Sequence, residues 1–515
     1  MRFIDFFDRG AARYPDRLCL VDGGIQRTYR EVEKTSHVVA LALQAAGFEP
    51  GMKAGIYSRN SARLLECLLG VFRAAVAWVP LNARSTSAEL MHVINLAECD
   101  VLFYDDKFVD TVAELRKACP NVKRFVSLSD DGPEGFHTFI AGHEGLAPDV
   151  PEDDERLTAV YSTGGTTGLP KGIAWRARVF EVMTANFFTA LPCDFAPVHL
   201  AVAPLTHAAG GLALMLFAEG ATQIILPQAD PLEIMRSIEK HRVTHLFLPP
   251  TVIYMMLSHP QVREFDYSSM KYFVYTAAPM SADKLRQALD IFGPVMAQFF
   301  GQTEAPLACT VLTPKDHLRA VSPGGNEDLL KSCGRSTLFT RVEIMDSDGK
   351  ILANHERGEI VVKSNLVMPG YYKDPAATAA VSEFGWHHTG DIAYRDDEGY
   401  FYIVDRKKDM IISGGFNVFP SEIERVLWAH PAVQDCAVIG VPDPKWGEAV
   451  KAVIELKPGA SATEEELIRL CKAELGSVKA PKTIEFWPVL PRSPVGKVKK
   501  ADIRSKYWVG EDRLV

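Results

Sequence analysis

The sequence predicts a layered α/β protein, with a large N-terminal domain and a small C-terminal domain. The chain has 515 residues, 47% of them hydrophobic, so it is too long for a single compact core and apolar enough to fill several. Segments of strand and helix character alternate along much of it. A charged run and a Gly-Gly pair then separate the C-terminal part from the rest.

The alternation is clearest in the middle of the chain. The apolar run 157–161 predicts a short strand that enters a glycine-rich loop, and another strand is expected to begin near Val295. Between them, patterns of period 2 and of period 3.6 predict further strands and helices. The strands are expected at 199–203, 222–226, 244–248 and 271–276, and the helices at 231–240 and 281–291. This order predicts a layered α/β body.

Shorter, closer strands follow at 358–362 and 400–404, with turn residues at 346–350 and 396–399. They predict a β-rich subdomain that completes the large domain, residues 1–404. The charged run 405–409 is interpreted as a hinge. Residues 410–515 are expected to form a small, mobile α/β domain. Its elements are a helix opening at Pro420, strands at 433–440, 450–456 and 483–486, and a helix from Thr463.

Charge and cysteine content narrow the class of protein. The net charge is −9, without a long basic run, so nucleic acid is not an expected partner. Nine scattered cysteines without a Cys-x-x-Cys pair are typical of a reduced, cytoplasmic protein without a zinc cluster. The N-terminus has charges inside its apolar stretch and does not resemble a signal peptide. No segment is apolar for long enough to predict an integral membrane span.

The loop 161–172, Tyr-Ser-Thr-Gly-Gly-Thr-Thr-Gly-Leu-Pro-Lys-Gly, has the composition of a phosphate-binding loop. Its glycines let backbone amides approach an anion, its hydroxyls are donors, and Lys171 adds a mobile charge. It is not a Walker A loop, because Pro170 and Gly172 around the lysine disfavour a helix. A surface linker is the plain alternative. The phosphate-binding residues are expected to be Thr163, Gly164, Gly165, Thr166, Thr167, Gly168 and Lys171.

Three further groups carry chemistry. Residues 300–304, Phe-Gly-Gln-Thr-Glu, follow a predicted strand and place Glu304 at a strand end, where a carboxylate suits a magnesium ion on ATP phosphates. Residues 388–391, His-Thr-Gly-Asp, are expected to form a turn in which Asp391 accepts hydrogen bonds from ribose hydroxyls, complemented by Arg406. Lys497 follows a proline-rich turn and could be presented at a loop tip. Each group alone could be an ordinary surface feature.

Together these groups resemble, in order and over essentially the whole length, the adenylate-forming superfamily of acyl-CoA synthetases, peptide-synthetase adenylation domains and beetle luciferases. The matching segments are 161–172, 204–210, 277–279, 300–304, 358–360, Tyr371, 389–391, 405–406, 414–415 and 496–497. The resemblance implies that the cofactor and co-substrates are Mg²⁺, ATP and coenzyme A.

The resemblance also implies roles for individual residues. The catalytic residues would be Lys497, Glu304, Thr163 and His207, with Glu304 as the metal ligand and Lys408 as the hinge residue. The nucleotide would be bound by the phosphate loop and by Ala277, Ala278, Pro279, Gln298, Phe300, Gly301, Thr303, Asp391 and Arg406. The acyl pocket would be lined by His207, Ala208, Ala209, Ala277, Phe299, Gly301 and Leu307. Coenzyme A would contact Gly414, Gly415 and Trp446.

The expected reaction is ATP-dependent formation of an acyl-AMP, followed by transfer of the acyl group to coenzyme A. The pocket residues are small or apolar, which indicates a hydrophobic monocarboxylic acid, either a medium- or long-chain fatty acid or an aromatic acid. His207 could orient the carboxylate, gate the pocket or be structural. The alternatives are loading of an acyl carrier protein, a luciferase-type oxygenase and a non-catalytic binding protein. A homodimer is one assembly compatible with the sequence, which does not determine the oligomeric state.

Overall fold

The structure is a computed structural model that describes residues 1–129, 132–162, 170–276, 280–492 and 498–508. The chain folds into two compact units. Within the described residues, unit 1 comprises 1–162, 170–342 and 362–387, and unit 2 comprises 343–361, 388–492 and 498–508. The hinge at 405–409 stays a prediction.

The strands of the described residues are β1 Leu18–Asp22, β2 Ile25–Thr28, β3 Lys53–Tyr57, β4 Ala77–Leu81, β5 Val101–Tyr104, β6 Arg124–Ser127, β7 Leu157–Ser162, β8 Gly172–Arg176, β9 Val198–Ala201, β10 Thr222–Ile225, β11 His245–Phe247, β12 Tyr272–Tyr275, β13 Met296–Gln302, β14 Ala305–Leu312, β15 Arg335–Ser336, β16 Arg341–Met345, β17 Gly358–Lys363, β18 Gly370–Tyr371, β19 His387–Arg395, β20 Phe401–Arg406, β21 Ile411–Ser413, β22 Phe416–Val418, β23 Val433–Asp443, β24 Gly447–Leu456 and β25 Thr483–Phe486.

The α-helices of the same residues are α1 Phe3–Arg13, α2 Tyr29–Ala45, α3 Ala62–Arg73, α4 Ser87–Ala97, α5 Val109–Ala118, α6 Phe136–Ile140, α7 Ala177–Ala190, α8 Ala208–Phe217, α9 Pro231–His241, α10 Pro250–Leu257, α11 Ala282–Phe292, α12 Pro314–Val321, α13 Pro375–Ala380, α14 Pro420–Trp428, α15 Glu464–Lys479 and α16 Lys500–Arg504. Several begin at a Ser, Thr or Asp whose side chain accepts a hydrogen bond from the first turn, as Ser61, Asp230 and Ser281 do.

Unit 1 contains two large sheets. The nine-stranded sheet has the order β15-β14-β13-β12-β11-β9-β10-β1-β2 and is parallel from β13 to β1. The seven-stranded sheet has the order β18-β8-β7-β4-β3-β5-β6, with β8 and β18 antiparallel to their neighbours. Helices follow most of the parallel strands, and the largest fully buried side chains include Trp78, Phe187 and Phe299. This arrangement confirms the predicted layered α/β body.

Unit 2 contains a five-stranded sheet, β22-β21-β24-β23 with β25 beside β24, packed against α14 and α15. The four-stranded sheet β16-β17-β19-β20 also lies largely within this unit. The predicted β-rich segment and the predicted C-terminal α/β fold are therefore both present. No helix of the described residues is long and apolar enough to cross a membrane. All nine cysteines are thiols, and eight of them are buried.

Two local predictions need correction. Residues 388–391 do not form a turn, because they lie in β19, where Thr389 and Asp391 are buried. Residues 300–302 do not follow their strand, because they belong to β13, and the turn is formed by Thr303 and Glu304. In both segments the polar residue types hid the alternation of a strand. Partner strands, which supply the burial, come from distant parts of the chain.

Candidate functional site

The ends of the glycine-rich loop are held by an antiparallel pair of strands. β7 pairs with β8 so that Ser162 lies opposite Gly172, and the His92 side chain contacts the Pro170 carbonyl through Nε2 at 2.8 Å. Six expected phosphate ligands, Thr163, Gly164, Gly165, Thr166, Thr167 and Gly168, lie outside the described residues. Their roles stay predictions, and Lys171 is the expected phosphate ligand whose surroundings can be described.

Lys171, Tyr371 and Glu304 lie together in unit 1. The Lys171 ammonium lies over the Tyr371 ring at 4.8 Å from its centre, and the Tyr371 hydroxyl donates to Glu304 Oε1 at 2.9 Å. Burial, together with the Glu304 carboxylate, holds the pKa of Tyr371 well above its usual range. The tyrosine therefore stays protonated and remains a donor. The sequence had placed Lys171 and Glu304 in one site.

Backbone contacts fix this cluster. β18 pairs with β8, with Tyr371 opposite Ile173. The Glu304 carbonyl accepts from the Met368 amide at 2.7 Å, and the Thr303 carbonyl accepts from Trp175 Nε1 at 2.9 Å. The β13–β14 turn is thus joined to the strand that leaves the phosphate loop. Glu304 and Lys171, which carry the carboxylate and the ammonium, therefore belong to one framework of backbone hydrogen bonds.

Glu304 has the chemistry of a magnesium ligand. Its carboxylate is partly exposed, and Tyr371 orients one of its two oxygens. Mg²⁺ prefers one or two carboxylate oxygens and completes its shell with phosphate and water. The donor set at this turn therefore fits the ion that the sequence predicted here.

Strand β13 separates two kinds of environment. Phe299 is 1% exposed and stacks on Phe187, whereas Phe300 is only partly buried on the opposite face. The side-chain amide of Gln298, on the same face as Phe300, lies 3.2 Å from the Tyr275 hydroxyl. The alternation is consistent with the predicted division between nucleotide residues and acyl residues. Ala277, Ala278 and Pro279, predicted to line the adenine site, lie outside the described residues.

Gly301 is required by a close backbone approach. A Cβ on Gly301 would lie 2.7 Å from the Ala305 carbonyl oxygen and 2.7 Å from the Leu307 amide nitrogen. Leu307 has a φ of 55°, in the left-handed region, and the β13–β14 register shifts beside it. A larger residue at 301 would therefore displace the hairpin backbone before it could shorten an acyl pocket. The left-handed backbone of Leu307 is strained for a non-glycine residue, and such strain is typical of functional sites.

His207 uses both ring nitrogens. Nδ1 lies 2.6 Å from the Thr206 carbonyl, to which it can only donate, so Nε2 accepts from Asn82 Nδ2 at 3.2 Å. Burial lowers its pKa and favours this neutral form. Asn60 holds the preceding loop, since its amide donates to the Val202 and Ala203 carbonyls and accepts from the Leu205 amide. The imidazole of His207 is therefore held in one orientation at the start of α8, next to Ala208 and Ala209.

In unit 2, Asp391 and Arg406 are cross-strand neighbours of β19 and β20. Arg406 Nε lies 2.7 Å from Asp391 Oδ1, and Asp391 is 3% exposed, whereas the arginine side chain is 47% exposed. The sequence had paired these two residues as the ribose site, and the structure brings them together. A buried carboxylate beside an exposed guanidinium can take two neighbouring hydroxyls.

Glu359 supports this pair and was not predicted as a site residue. It accepts from the Gly390 amide at 2.9 Å, contacts His388 Nδ1 at 3.1 Å and pairs with the Lys407 ammonium at 3.0 Å. Burial opposes its ionisation, but the hydrogen bonds from His388 and Lys407 lower its pKa overall. Gly390, directly before Asp391, has a φ of 73°, in the left-handed region. The hydrogen bond to Glu359 stabilises this backbone conformation.

The three residues expected at coenzyme A cluster at the β21–β22 hairpin. The Gly414 amide donates to the Trp446 carbonyl at 2.8 Å, and a Cβ on Gly414 would lie 2.6 Å from the Trp446 ring. Gly415 has a φ of 80° and open space around its missing side chain. Trp446 is 42% exposed. An aromatic face therefore lies next to a hairpin whose glycines leave room for a chain.

A buried ionic cluster anchors the segment after Lys497. Lys497 itself, the expected catalytic lysine, lies outside the described residues. Lys500 pairs with Glu424 at 2.8 Å, and Arg504 pairs with Asp409 at 2.7 Å. The carboxylate of Asp405 is also buried near Lys500. The predicted hinge segment, in which Lys408 is exposed in a short 3₁₀ turn, is thus tied to α16.

Comparison with known proteins identifies the family. Residues 7–372 match the family model of AMP-binding enzymes, and residues 422–497 match that of the AMP-binding enzyme C-terminal domain. The chain is 35% identical to a medium/long-chain-fatty-acid–CoA ligase of Mycobacterium tuberculosis, over 92% of this chain and 84% of that protein. It is 34% identical to a feruloyl-CoA synthase of an Amycolatopsis species, over 97% of this chain and 98% of that protein.

A solved structure shows the same fold. The amide bond synthetase of Marinactinospora thermotolerans superposes with a TM-score of 0.87 at 29% identity, covering 98% of this chain and all of that one. The family models span most of the chain, and the curated relatives align along nearly all of it. The chain therefore belongs to the AMP-binding enzymes, within the acyl-CoA synthetase family of the adenylate-forming superfamily.

Proposed function

We propose that this chain is an AMP-forming acid:CoA ligase that activates a hydrophobic monocarboxylic acid. The observation that carries the proposal is the cluster of Lys171, Tyr371 and Glu304 in unit 1. An ammonium and an oriented carboxylate at the end of a glycine-rich loop have the chemistry of a site for ATP phosphates. The two relatives compared above, a fatty-acid–CoA ligase and a feruloyl-CoA synthase, support the reaction class.

In the first half-reaction, an oxygen of the acid attacks the α-phosphorus of ATP. The bond from that phosphorus to the bridging oxygen breaks, and pyrophosphate leaves with the bonding electrons. The barrier is charge repulsion between two anions, so positive charge is needed at the α-phosphate. We assign that role to Lys497, assign the leaving pyrophosphate to Lys171 and the phosphate loop, and assign the ribose to Asp391 and Arg406. Magnesium held by Glu304 would neutralise phosphate charge when bound.

In the second half-reaction, the sulfur of coenzyme A attacks the acyl carbon of the acyl-AMP. The bond between that carbon and the phosphate oxygen breaks, AMP leaves, and the thiol proton is lost to solvent. This step needs room for a pantetheine arm and no extra charge at phosphorus. We assign the arm to Gly414 and Gly415, beside Trp446, and assign Lys408 to the hinge.

The acid is proposed to be hydrophobic because the pocket residues are small or apolar. Ala208, Ala209, Phe299 and Leu307 carry no charge, and Phe299 and Phe187 form a stacked aromatic pair. His207 is neutral and fully hydrogen-bonded, so it is proposed as a wall of the pocket. The cysteine pattern supports the cytoplasm as the compartment. The homodimer stays a prediction.

The test is release of pyrophosphate and AMP from ATP with a panel of C4 to C16 fatty, benzoic and phenylpropenoic acids, each with and without coenzyme A. Turnover that requires both an acid and coenzyme A is the expected result. Acid-dependent release of pyrophosphate that coenzyme A does not stimulate would contradict coenzyme A as the acyl acceptor. A phosphopantetheinyl carrier protein and an amine are then the acceptors to add, the latter because the superposed relative is an amide bond synthetase.

A further inference from the structure

Two buried histidines form a row on the nine-stranded sheet. His199 on β9 and His245 on β11 are register partners on adjacent strands, and both are 0% exposed. Gln223 on β10 and Tyr272 on β12 continue the row on either side. Neighbouring strands lie only about 4.8 Å apart, so the two imidazoles project side by side from one face. None of these residues has a role in the proposed reaction.

The hydrogen bonds of the row fix the tautomer of His199 and are compatible with the same tautomer of His245. The Gln223 amide nitrogen donates to the Ala213 carbonyl at 3.3 Å, so its oxygen, 2.6 Å from His199 Nδ1, must accept. The Thr244 hydroxyl lies 3.1 Å from the Val198 carbonyl and 2.9 Å from His245 Nδ1. His199 thus carries its proton on Nδ1, and His245 does so as well when the Thr244 hydroxyl donates to the carbonyl. Burial lowers their pKa values to about 4 and about 3, which keeps both rings neutral near pH 7.

When both protons are on Nδ1, both Nε2 atoms are acceptors. Within the part of the chain that the structure describes, each is buried and has no hydrogen-bond partner. A buried acceptor without a partner is costly, and here two of them lie side by side on one face. The described residues supply no hydrogen-bond donor to the pair, and a buried water or a hydroxyl of a bound ligand would satisfy it.

The pair adjoins the proposed acyl pocket. The His245 ring lies 6.4 Å from the Phe187 ring, centre to centre, and Phe187 stacks at 5.7 Å on Phe299, a predicted pocket residue. Helix α8 gives an approximate depth of the row relative to His207, which precedes the helix. Ala213, whose carbonyl holds Gln223, is six positions beyond His207, and this corresponds to about 9 Å along the helix axis.

We propose that His199 and His245 form a polar subsite at the far end of the acyl pocket, which accepts a hydrogen bond from a phenolic hydroxyl of an aromatic acid. The inference rests on the proposed ligase function and names the class of its acid. The depth of about 9 Å along α8 is comparable to the length of a phenylpropenoic acid from its carboxyl group to its para substituent. Phe299 offers an aromatic contact to a substrate ring. Phe187 contacts both Phe299 and His245, so the proposal requires the Phe187 side chain to turn aside when the acid binds.

The experiment compares kcat/KM of the full chain, by pyrophosphate release with coenzyme A, for 4-hydroxycinnamic, 4-methoxycinnamic and cinnamic acids. A site built to bond a hydroxyl rejects analogues without it, so we expect the hydroxylated acid to be preferred at least tenfold over both others. His199→Phe and His245→Phe should each bring the ratios close to one. The control Tyr272→Phe removes a hydroxyl of the same row that is committed to the Pro192 carbonyl, and it should keep the preference.

Several outcomes would overturn the inference. Equal kcat/KM for the three acids in the unaltered protein would mean that the pair holds only a buried water, and this result does not depend on whether the variants fold. A hydroxyl preference that survives both histidine variants would place the subsite elsewhere. A preference for 8-hydroxyoctanoic over octanoic acid, without one among the cinnamic acids, would exclude the aromatic class. If no acid supports coenzyme A-dependent turnover, the proposed ligase function itself is contradicted.

Discussion

The Tyr371 hydroxyl donates to Glu304 Oε1 at 2.9 Å, while the ring of the same tyrosine lies against the Lys171 ammonium. One side chain thus orients the predicted magnesium ligand and packs against the predicted phosphate ligand. Tyr371 belongs to a two-residue strand that pairs with β8, directly after the phosphate loop. The position of the carboxylate therefore depends on a residue 67 positions away along the chain.

The first prediction concerns this hydrogen bond. Tyr371→Phe keeps the ring over Lys171 and removes the donor to Glu304. A hydrogen bond to a charged group contributes about 1.5–3 kcal/mol, which corresponds to a decrease of roughly 10- to 100-fold in rate if it acts in the transition state. We expect acid-dependent pyrophosphate release to fall by this factor. Tyr372→Phe is the control, and a similar loss in both variants would contradict the assignment.

The second prediction concerns pH and Glu359. Its pKa in the folded protein lies below the ordinary value of 4.5, so the folded state favours the carboxylate. Its contribution to stability is therefore fully present above about pH 4.5 and is lost as the pH falls through the lowered pKa. Glu359→Gln should speed amide hydrogen exchange in residues 387–406 at pH 7. The difference from the unaltered protein should shrink toward pH 3, and a gap that is constant with pH would contradict this.

The third prediction concerns the buried pair Lys500 and Glu424. Burial disfavours the ammonium, but Glu424, Asp405 and Asp409 raise the pKa of Lys500 to about 12. Removing one partner of a buried pair costs about 3–5 kcal/mol, because the other charge is left unpaired. Lys500→Met should therefore lower the thermal midpoint of unit 2 and expose β23 to hydrogen exchange. Adding Glu424→Gln should recover much of the loss.

The pH dependence of that loss has a definite sign. A lysine with a raised pKa stabilises the folded state below the unfolded value of about 10.4, and this stabilisation disappears as the pH rises through about 12. The difference between Lys500→Met and the unaltered protein should therefore be constant from pH 6 to 9. A difference that varies across this range would show that a group other than Lys500 dominates.

The comparison of sequence with structure shows where local patterns are sufficient. The strand at Thr483–Phe486 and the helix starting at Pro420 were predicted at their observed positions because apolar spacing and helix-start residues lie within the segment itself. Asp391 was assigned to a turn because Gly390 and its polar neighbours conceal a strand that is buried by β20 and β17. Glu359 and Asn82 were missed because their importance comes entirely from partners far along the chain.

The fourth prediction concerns Lys497. Its charge is proposed to act at the α-phosphate, and therefore only in formation of the acyl-AMP. Lys497→Ala should abolish acid-dependent pyrophosphate release and largely spare thioester formation from supplied acyl-AMP. Lys499→Ala, two residues along and outside the proposed machinery, is the matched control and should leave both steps unchanged. Equal loss of both half-reactions in Lys497→Ala would refute the role.

The last prediction concerns the hairpin glycines. Gly415→Leu should block thioester formation while acyl-AMP formation persists, because its side chain would fill the space that we assign to the pantetheine arm. Gly415 has a φ of 80°, so the substitution also strains the backbone. Gly459→Leu separates the two effects. Gly459 has a φ of 75° and also open surroundings, but it lies in the turn after β24. If both variants lose thioester formation equally, strain is the cause, whereas loss in Gly415→Leu alone places the thiol channel at the β21–β22 hairpin.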